Sequence, residues 1–260
     1  DWHHDIVSSD DKIYTFVGSS LMIVDTANGE IHREISAAEL LKWAWDSDLY
    51  IFDARRKKLF SEKNLSKSNL VNLFYPDPFH FNKADILTAD NADRYDIFEA
   101  GDILLSLREL NLVVVVRPST ESIIWYRYGL TQAQHDATFN DGHIDVFDNN
   151  SSSTPPEPRI VRLNLERNVS ETLFNLADWG MVMRAKGNFE LNGNQLLVTD
   201  DEAGRMIYGS MDGEIQFVFE NTFLKVGTES TNLALRNAAE IPPERVQEFE
   251  AQCVQYRTDQ

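Results

Sequence analysis

Four short stretches of the sequence hold the residue types from which a reaction centre could be assembled. His135 stands in Gln134-His135-Asp136, Arg108 in Ser106-Leu107-Arg108-Glu109-Leu110-Asn111, His80 two residues before Asn82, and His4 in His3-His4-Asp5. A neutral imidazole is a competent nucleophile near pH 7, and it is also a common ligand for zinc or copper. Arg, His and Asn donors suit a group that carries negative oxygens. An arginine among histidines speaks for an anion over a metal ion, because a guanidinium repels a cation. Residue types alone leave three readings open: an enzyme that handles an anionic group, a metal enzyme ligated by His4, His80 and His135, and a binding module without chemistry. On an extended segment His80 and Asn82 project to one face, whereas Arg108 and Glu109 face opposite ways, which makes their pairing poor. By the same alternation Asp5 and Asp136 point away from their neighbouring histidines and support the fold. His32 and His143 read as solvated, and Asp200-Asp201-Glu202 as a turn.

The elements that must position these residues read as short strands. Apolar or alternating runs occur at 13–17, 21–25, 48–53, 103–107, 112–116 and 123–128 in the first half. They recur at 143–147, 159–163, 195–199, 206–209 and 215–219 in the second half. Their Val, Ile, Tyr, Phe and Trp content, with Asp, Asn and Gly between, predicts an all-β chain. A short helix is expected over 37–45, and a C-terminal one over 243–255, with Pro243 near its start and Glu244 in its first turn. The stretches 149–158 and 77–83 read as loops.

The candidate histidines also sit at repeated positions. His4-Asp5-Ile6 through Phe16 superimposes without a gap on His135-Asp136-Ala137 through Phe147, matching the His, two Asp, an Ile and the Phe. A third copy begins near His80, with an insertion around 88–98. A fourth runs from Lys186 to Val198, with Lys in place of His. The steps from His80 to His135 and from His135 to Lys186 are just over fifty residues, slightly longer than the roughly 40–50 of a propeller blade. The longer step from His4 to His80 calls for an inserted segment, for which 39–73 has room. Such a repeat in an all-β chain favours a β-propeller, in which equivalent positions of successive blades converge. We expect one propeller domain over 1–260.

Composition bounds the partners. The 260 residues suffice for a sizeable core, and 42 acidic against 24 basic side chains give a formal net charge of -18. So acidic a surface is a poor partner for nucleic acid or an anionic membrane surface, although salt screens it beyond about 8–10 Å and leaves room for a local cationic pocket. A single cysteine, Cys253, rules out an intramolecular disulfide framework and a cysteine-rich metal site. No apolar run approaches the roughly 18–20 residues of a membrane span, and no signal peptide is read. The chain opens on Asp1-Trp2-His3-His4 without Met and reads as a mature or trimmed product. Asn-x-Ser/Thr sequons stand at Asn64, Asn149, Asn150 and Asn168, a number that chance supplies readily.

Taken in order and spacing, these motifs, with the Trp125 strand and the later Asn192-Gly193-Asn194 and Gly204-Arg205, resemble the bacterial-type arylsulfate sulfotransferase family, most densely over 78–221. That family is a six-bladed propeller that dispenses with the nucleotide donor of other sulfotransferases. The chain is short for six blades and begins within one, so the resemblance implies an incomplete or abbreviated propeller. It implies His135 as the catalytic nucleophile that becomes transiently sulfated. It also implies His4, His80, Asn82 and Arg108 as substrate-binding groups that hold the sulfuryl oxygens. An aryl sulfate donor and a phenolic acceptor follow, with no cofactor, no metal, and a periplasmic or otherwise exported location. A homodimer stays open.

Overall fold

The computed structural model describes residues 2–45, 79–224, 230–232 and 238; for 2–5, 45, 222–224 and 230–232 it describes the backbone path alone. The expected strand at 48–53, the expected helix at 243–255, most of the expected insertion at 39–73, Asn64 and Cys253 lie outside the described residues.

By internal contacts the chain divides into two compact units, Asp1–Gly187 and Asn188–Gln260. The first unit holds three four-stranded antiparallel meanders. They are β1 (Trp2–Ser9), β2 (Lys12–Val17), β3 (Ser20–Asp25) and β4 (Ile31–Ser36); β5 (Phe81–Ile86), β6 (Ile103–Leu107), β7 (Leu112–Arg117) and β8 (Ser122–Tyr128); and β9 (His135–Asn140), β10 (His143–Asp148), β11 (Arg159–Leu163) and β12 (Ser170–Asn175). The second unit holds a fourth meander, β13 (Asn188–Asn192), β14 (Gln195–Asp200), β15 (Arg205–Ser210) and β16 (Ile215–Glu220), and a ribbon of β17 (Thr222–Leu224) and β18 (Ser230–Asn232). Each meander pairs strictly in chain order, the construction of a propeller blade. The fold is that of a β-propeller, with four blades among the described residues against the six that the resemblance implies.

Helix α1 (Ala37–Trp45) spans the segment expected to be helical. Ser36 caps it: its hydroxyl accepts from the Glu39 N–H at 3.2 Å, while the Glu39 carboxylate accepts from the Ser36 N–H at 2.9 Å. That reciprocal pair is a capping box. The four-residue α2 (Ala89–Ala92) lies within the insertion that separates β5 from β6.

The burial of the second blade explains its sequence. Every residue of β6, and all of β7 but Arg117, is buried, because both faces of this blade are covered. Leu105, Leu107, Val114 and Val116 face a cluster with Phe16, Leu21, Ile35, Leu40 and Phe81, toward the first blade. Their neighbours Leu104, Val113 and Val115 join Trp125, Ala137, Val146 and Val161, toward the third. A strand buried on both faces has no polar side to alternate with, so it reads as an unbroken apolar run. Each such side chain contributes roughly 1.5–3 kcal/mol through burial.

Inner strands of neighbouring blades are tied by polar contacts. Lys83 of β5 pairs with the buried Asp136 of β9 at 3.1 Å. Asp85 accepts from the Phe139 N–H at 2.8 Å and from the Thr138 hydroxyl at 2.9 Å. The β9–β10 turn places Asp141 (φ 47°) and Gly142 (φ 81°) in the left-handed region, the two-residue hairpin geometry that favours Asp-Gly.

Candidate functional site

The candidate residues gather where inner strands begin, and each of those starts is irregular. The β1–β2 register breaks between His3 and Ile6, and the β5–β6 register between Phe81 and Lys83, which leaves Asn82 bulged. In the third blade His135 pairs with Phe147 and Ala137 with Val146, leaving Asp136 as the extra residue with φ 39°. Bulges of this kind re-aim side chains at the ends of ladders. Counted back from the paired residues Ile6, Lys83 and Ala137, the positions equivalent to His135 are His4 and Phe81. His80 therefore stands one residue ahead of strict repeat equivalence. The His4 side chain is outside what is described.

Two expectations about the second corner are corrected by this geometry. Residues 81–83 are strand rather than loop, and His80 (φ 50°) with the bulge at Asn82 breaks the alternation that would have put both side chains on one face. Arg108 does pair with Glu109, its Nε donating to Glu109 Oε1 at 3.0 Å. The strand argument against that pair fails because β6 ends at Leu107 and Arg108–Leu110 is a single 3-10 turn. That turn packs on the start of β5, with the Arg108 N–H donating to the His80 carbonyl at 3.1 Å. The Arg108 side chain stays 25% exposed, so it is open to a solute.

His135 is buried, at 6% exposure. Its Nδ1 lies 2.8 Å from Asn149 Oδ1 and 3.0 Å from the Ala133 carbonyl. Both neighbours are acceptors, so Nδ1 carries the proton and Nε2 the lone pair. Nε2 accepts from the Lys186 N–H at 3.2 Å. Burial is the main reason that its pKa is lowered to about 4, opposed by the Asn149 bond and reinforced by the charge of Arg108 and, less, of His80. The imidazole is thus neutral at pH 7, and Arg108 and His80 are close enough for their charges to act on it.

The third corner is tied to the second by further bonds. Gln134, fully buried, donates to the Leu112 carbonyl at 3.1 Å. Asn111, which ends the Arg108 turn, accepts from the Ala133 N–H at 3.0 Å. Asn82 donates from Nδ2 to the Gln134 carbonyl at 2.8 Å, while its buried Oδ1 has no hydrogen-bond partner among the described residues. Asp148, buried and paired with Arg159 at 2.9 Å, accepts from the Gln132 and Asn150 N–H groups and so holds Asn149 in place. Asn149 itself is fully buried and donates to the Lys186 carbonyl at 2.7 Å, which closes the Asn149 sequon to modification.

The structure therefore brings His80, Asn82, Arg108 and His135 to one pair of adjoining corners. Sequence reasoning gave Asn149, Asn111 and Gln134 no role of their own; Asn149 entered as a sequon and as the start of a loop, although its place two residues after Phe147 at a repeat end was a usable signal. His32 and His143 are exposed, as expected. Asp200, the last residue of β14, accepts from the Ala203 N–H at 3.1 Å and pairs with Arg205 at 2.9 Å, and Asp201 and Glu202 begin the expected turn. No cluster of three or more His, Cys, Asp or Glu among the described residues could hold a metal ion. A separate cleft of ≈ 300 Å³ between the first two blades includes Lys12, Tyr14, Arg33 and Arg117 and none of the candidate residues. No helix among the described residues is long and apolar enough to cross a membrane.

A family model described as arylsulfotransferase (ASST) matches residues 4–222. A search of curated proteins gives no match. Among solved structures, the chain is similar to virginiamycin B lyase from Staphylococcus aureus, with 14% identity, TM-score 0.42, and 81% of this chain and 53% of that one covered. It is also similar to a protein of unknown function from Bacteroides caccae (11%, 0.42, 81% and 58%) and to apo AztD from Citrobacter koseri (9%, 0.37, 83% and 46%). The chain spans about half the length of these solved structures.

Proposed function

Because this chain belongs to the arylsulfotransferase family, we propose that it carries a sulfuryl group from an aryl sulfate to a phenolic acceptor by way of a transiently sulfated His135. The observation that supports this most is the state of that imidazole: buried, neutral, protonated on Nδ1, with the charge of Arg108 acting on it. In the first step Nε2 attacks sulfur, the sulfur–oxygen bond to the aryl group breaks, and a phenolate leaves. In the second, the acceptor oxygen attacks sulfur, the nitrogen–sulfur bond breaks, and the acceptor proton passes to solvent. Two displacements replace one hard one.

Arg108, His80 and His4 are proposed to hold the sulfuryl oxygens, whose negative charge such donors stabilise. Asn82 is proposed for the same set through the second hydrogen of its amide, the first being taken by the Gln134 carbonyl. The Nε2–Lys186 bond, long at 3.2 Å, must give way when the donor binds. An exported location rests on the family resemblance and a single domain over 1–260 on the repeat, and both belong to the same proposal.

The experiment is incubation with 4-nitrophenyl sulfate, with and without phenol, followed by intact-mass measurement at neutral or basic pH. The expected result is nitrophenol release that depends on phenol, ping-pong kinetics, and an 80 Da-class sulfo adduct mapping to His135, formed with donor alone (about the mass of SO3). Phenol-independent release would make the protein a hydrolase. Neither release nor adduct would favour the binding module.

A further inference from the structure

A histidine that must receive a group on Nε2 and then give it away needs its other nitrogen controlled, because a proton on Nε2 would block the attack. In this structure one side chain exerts that control from a fully buried position. Asn149 accepts from His135 Nδ1–H through Oδ1 and donates through Nδ2 to the carbonyl of Lys186, whose own N–H meets His135 Nε2. The amide cannot be turned over without setting its NH2 against a protonated Nδ1 and its oxygen against a carbonyl, so its two ends are uniquely assigned. Asp148 and Arg159 fix the backbone that carries it.

We propose that Asn149 is a positioning residue that locks His135 as the Nδ1–H tautomer with a neutral acceptor, so that Nε2 can take up the sulfuryl group and still release it. This rests on the reading of His135 as nucleophile. Its chemical content is the choice of an amide where many enzymes place a carboxylate. Once Nε2 is sulfated it has no lone pair left, Nδ1 keeps its proton, and the ring bears a formal positive charge. An anionic partner would stabilise that charged ring and make the nitrogen–sulfur bond harder to break. The Asn149 and Ala133 oxygens bind Nδ1–H strongly enough to set the tautomer, but as neutral dipoles they leave the imidazole a weak base and therefore a good leaving group. Asn149 gains from the developing ring charge in both transition states, which is where a positioning residue must act to raise turnover.

The test uses Asn149→Ala and Asn149→Asp with three readouts: the rate of sulfation by 4-nitrophenyl sulfate, the lifetime of the adduct against phenol, and the 15N signals of the His135 ring. In Asn149→Ala the sulfation rate should fall on the order of 10- to 100-fold, the usual cost of losing an orienting partner, with little change in the donor KM. Its His135 spectrum should show Nε2–H gaining population and Nδ1–H exchanging faster, because only the Ala133 carbonyl then accepts from Nδ1. In Asn149→Asp, which sets an oxygen where the amide donated to the Lys186 carbonyl, the adduct should survive at least about tenfold longer before phenol. Circular dichroism and the thermal midpoint separate these effects from misfolding, and Asn149→Ser serves if the Asp variant fails to fold. Unchanged sulfation, adduct lifetime and ring signals in the folded variants would overturn the proposal. Absence of any adduct in the unaltered protein would instead defeat His135 as nucleophile. The ring signals would then still report whether Asn149 sets the tautomer.

Discussion

The corners that open the second and third blades have the same backbone plan and opposite side-chain economies. In both, an inner strand begins with a bulge, and Leu107 and Phe147 hold the same paired place opposite it. The next residue is Arg108 in one corner and Asp148 in the other. Arg108 stays partly exposed on a 3-10 turn, whereas Asp148 is fully buried and bonded to Gln132, Asn150 and Arg159. The third corner spends its polar groups on one another until His135 has a partner at each ring nitrogen. The second leaves a guanidinium open to solute and a buried amide oxygen of Asn82 without a partner among the described residues. A repeated scaffold thus supplies one place for reacting and one for holding. Equivalence in the repeat does not carry equivalence of role.

The largest expected effect breaks that equivalence directly. His135→Ala should abolish both the sulfo adduct and phenol-dependent turnover, because it removes the proposed nucleophile. His80→Ala should slow turnover and still permit the adduct. Intact-mass measurement after donor alone decides between them. Adduct formation in His135→Ala at the normal rate would show that the two corners had been assigned the wrong way round.

A smaller effect sharpens the role of the second corner. Arg108→Lys keeps the charge and loses the planar two-pronged donor. Turnover should fall on the order of a hundredfold, as when one oxyanion donor is removed, while the thermal midpoint moves little because the side chain is partly exposed. Near-normal turnover would mean that Arg108 serves only Glu109.

The same contrast explains what was legible in the sequence. Middle strands such as Leu112–Arg117 could be read outright, because burial on both faces leaves an apolar run. The inner strand β9, His-Asp-Ala-Thr-Phe-Asn, and the outer strand β12, Ser-Glu-Thr-Leu-Phe-Asn, could not be read by that rule. The first carries the polar groups that stitch blades and build the site, and the second is largely exposed. The inner strands were not among the strands read, and the repeat marked only where they begin. Arg108 was recognised as a candidate, but not the turn that lets it pair with Glu109, since nothing in Leu107-Arg108-Glu109-Leu110 breaks a strand until Asn111 adopts φ 49°. Asn149 stayed hidden because its partners, Lys186 and His135, are 37 and 14 residues away.

The smallest expected effect on activity is a null that only the closed third corner predicts. A solvated histidine near its ordinary pKa of about 6.5 would lose nucleophilicity as the pH fell through that value. His135 is held neutral down to about 4, chiefly by burial and then by the nearby charge of Arg108 and His80, against the opposing bonds to Asn149 and Ala133. Values of kcat/KM report the free enzyme, so no step near 6.5 should come from His135, and any step there should vanish in His80→Asn or His4→Asn, the other histidines proposed to touch the donor. The cost appears in stability instead. Below about pH 6.5 the unfolded chain takes up a proton at this histidine and the folded chain does not until about pH 4, so stability declines through that window as the pH falls, by roughly 3 kcal/mol in total for this one group. In His135→Gln, which cannot titrate, that part of the acid destabilisation should vanish in urea melts taken at pH 7 and pH 4.5. A step in kcat/KM near 6.5 that survives in His80→Asn and His4→Asn, or an unchanged acid loss in His135→Gln, would show that the third corner is open to water and that the two corners differ less than their hydrogen bonds indicate.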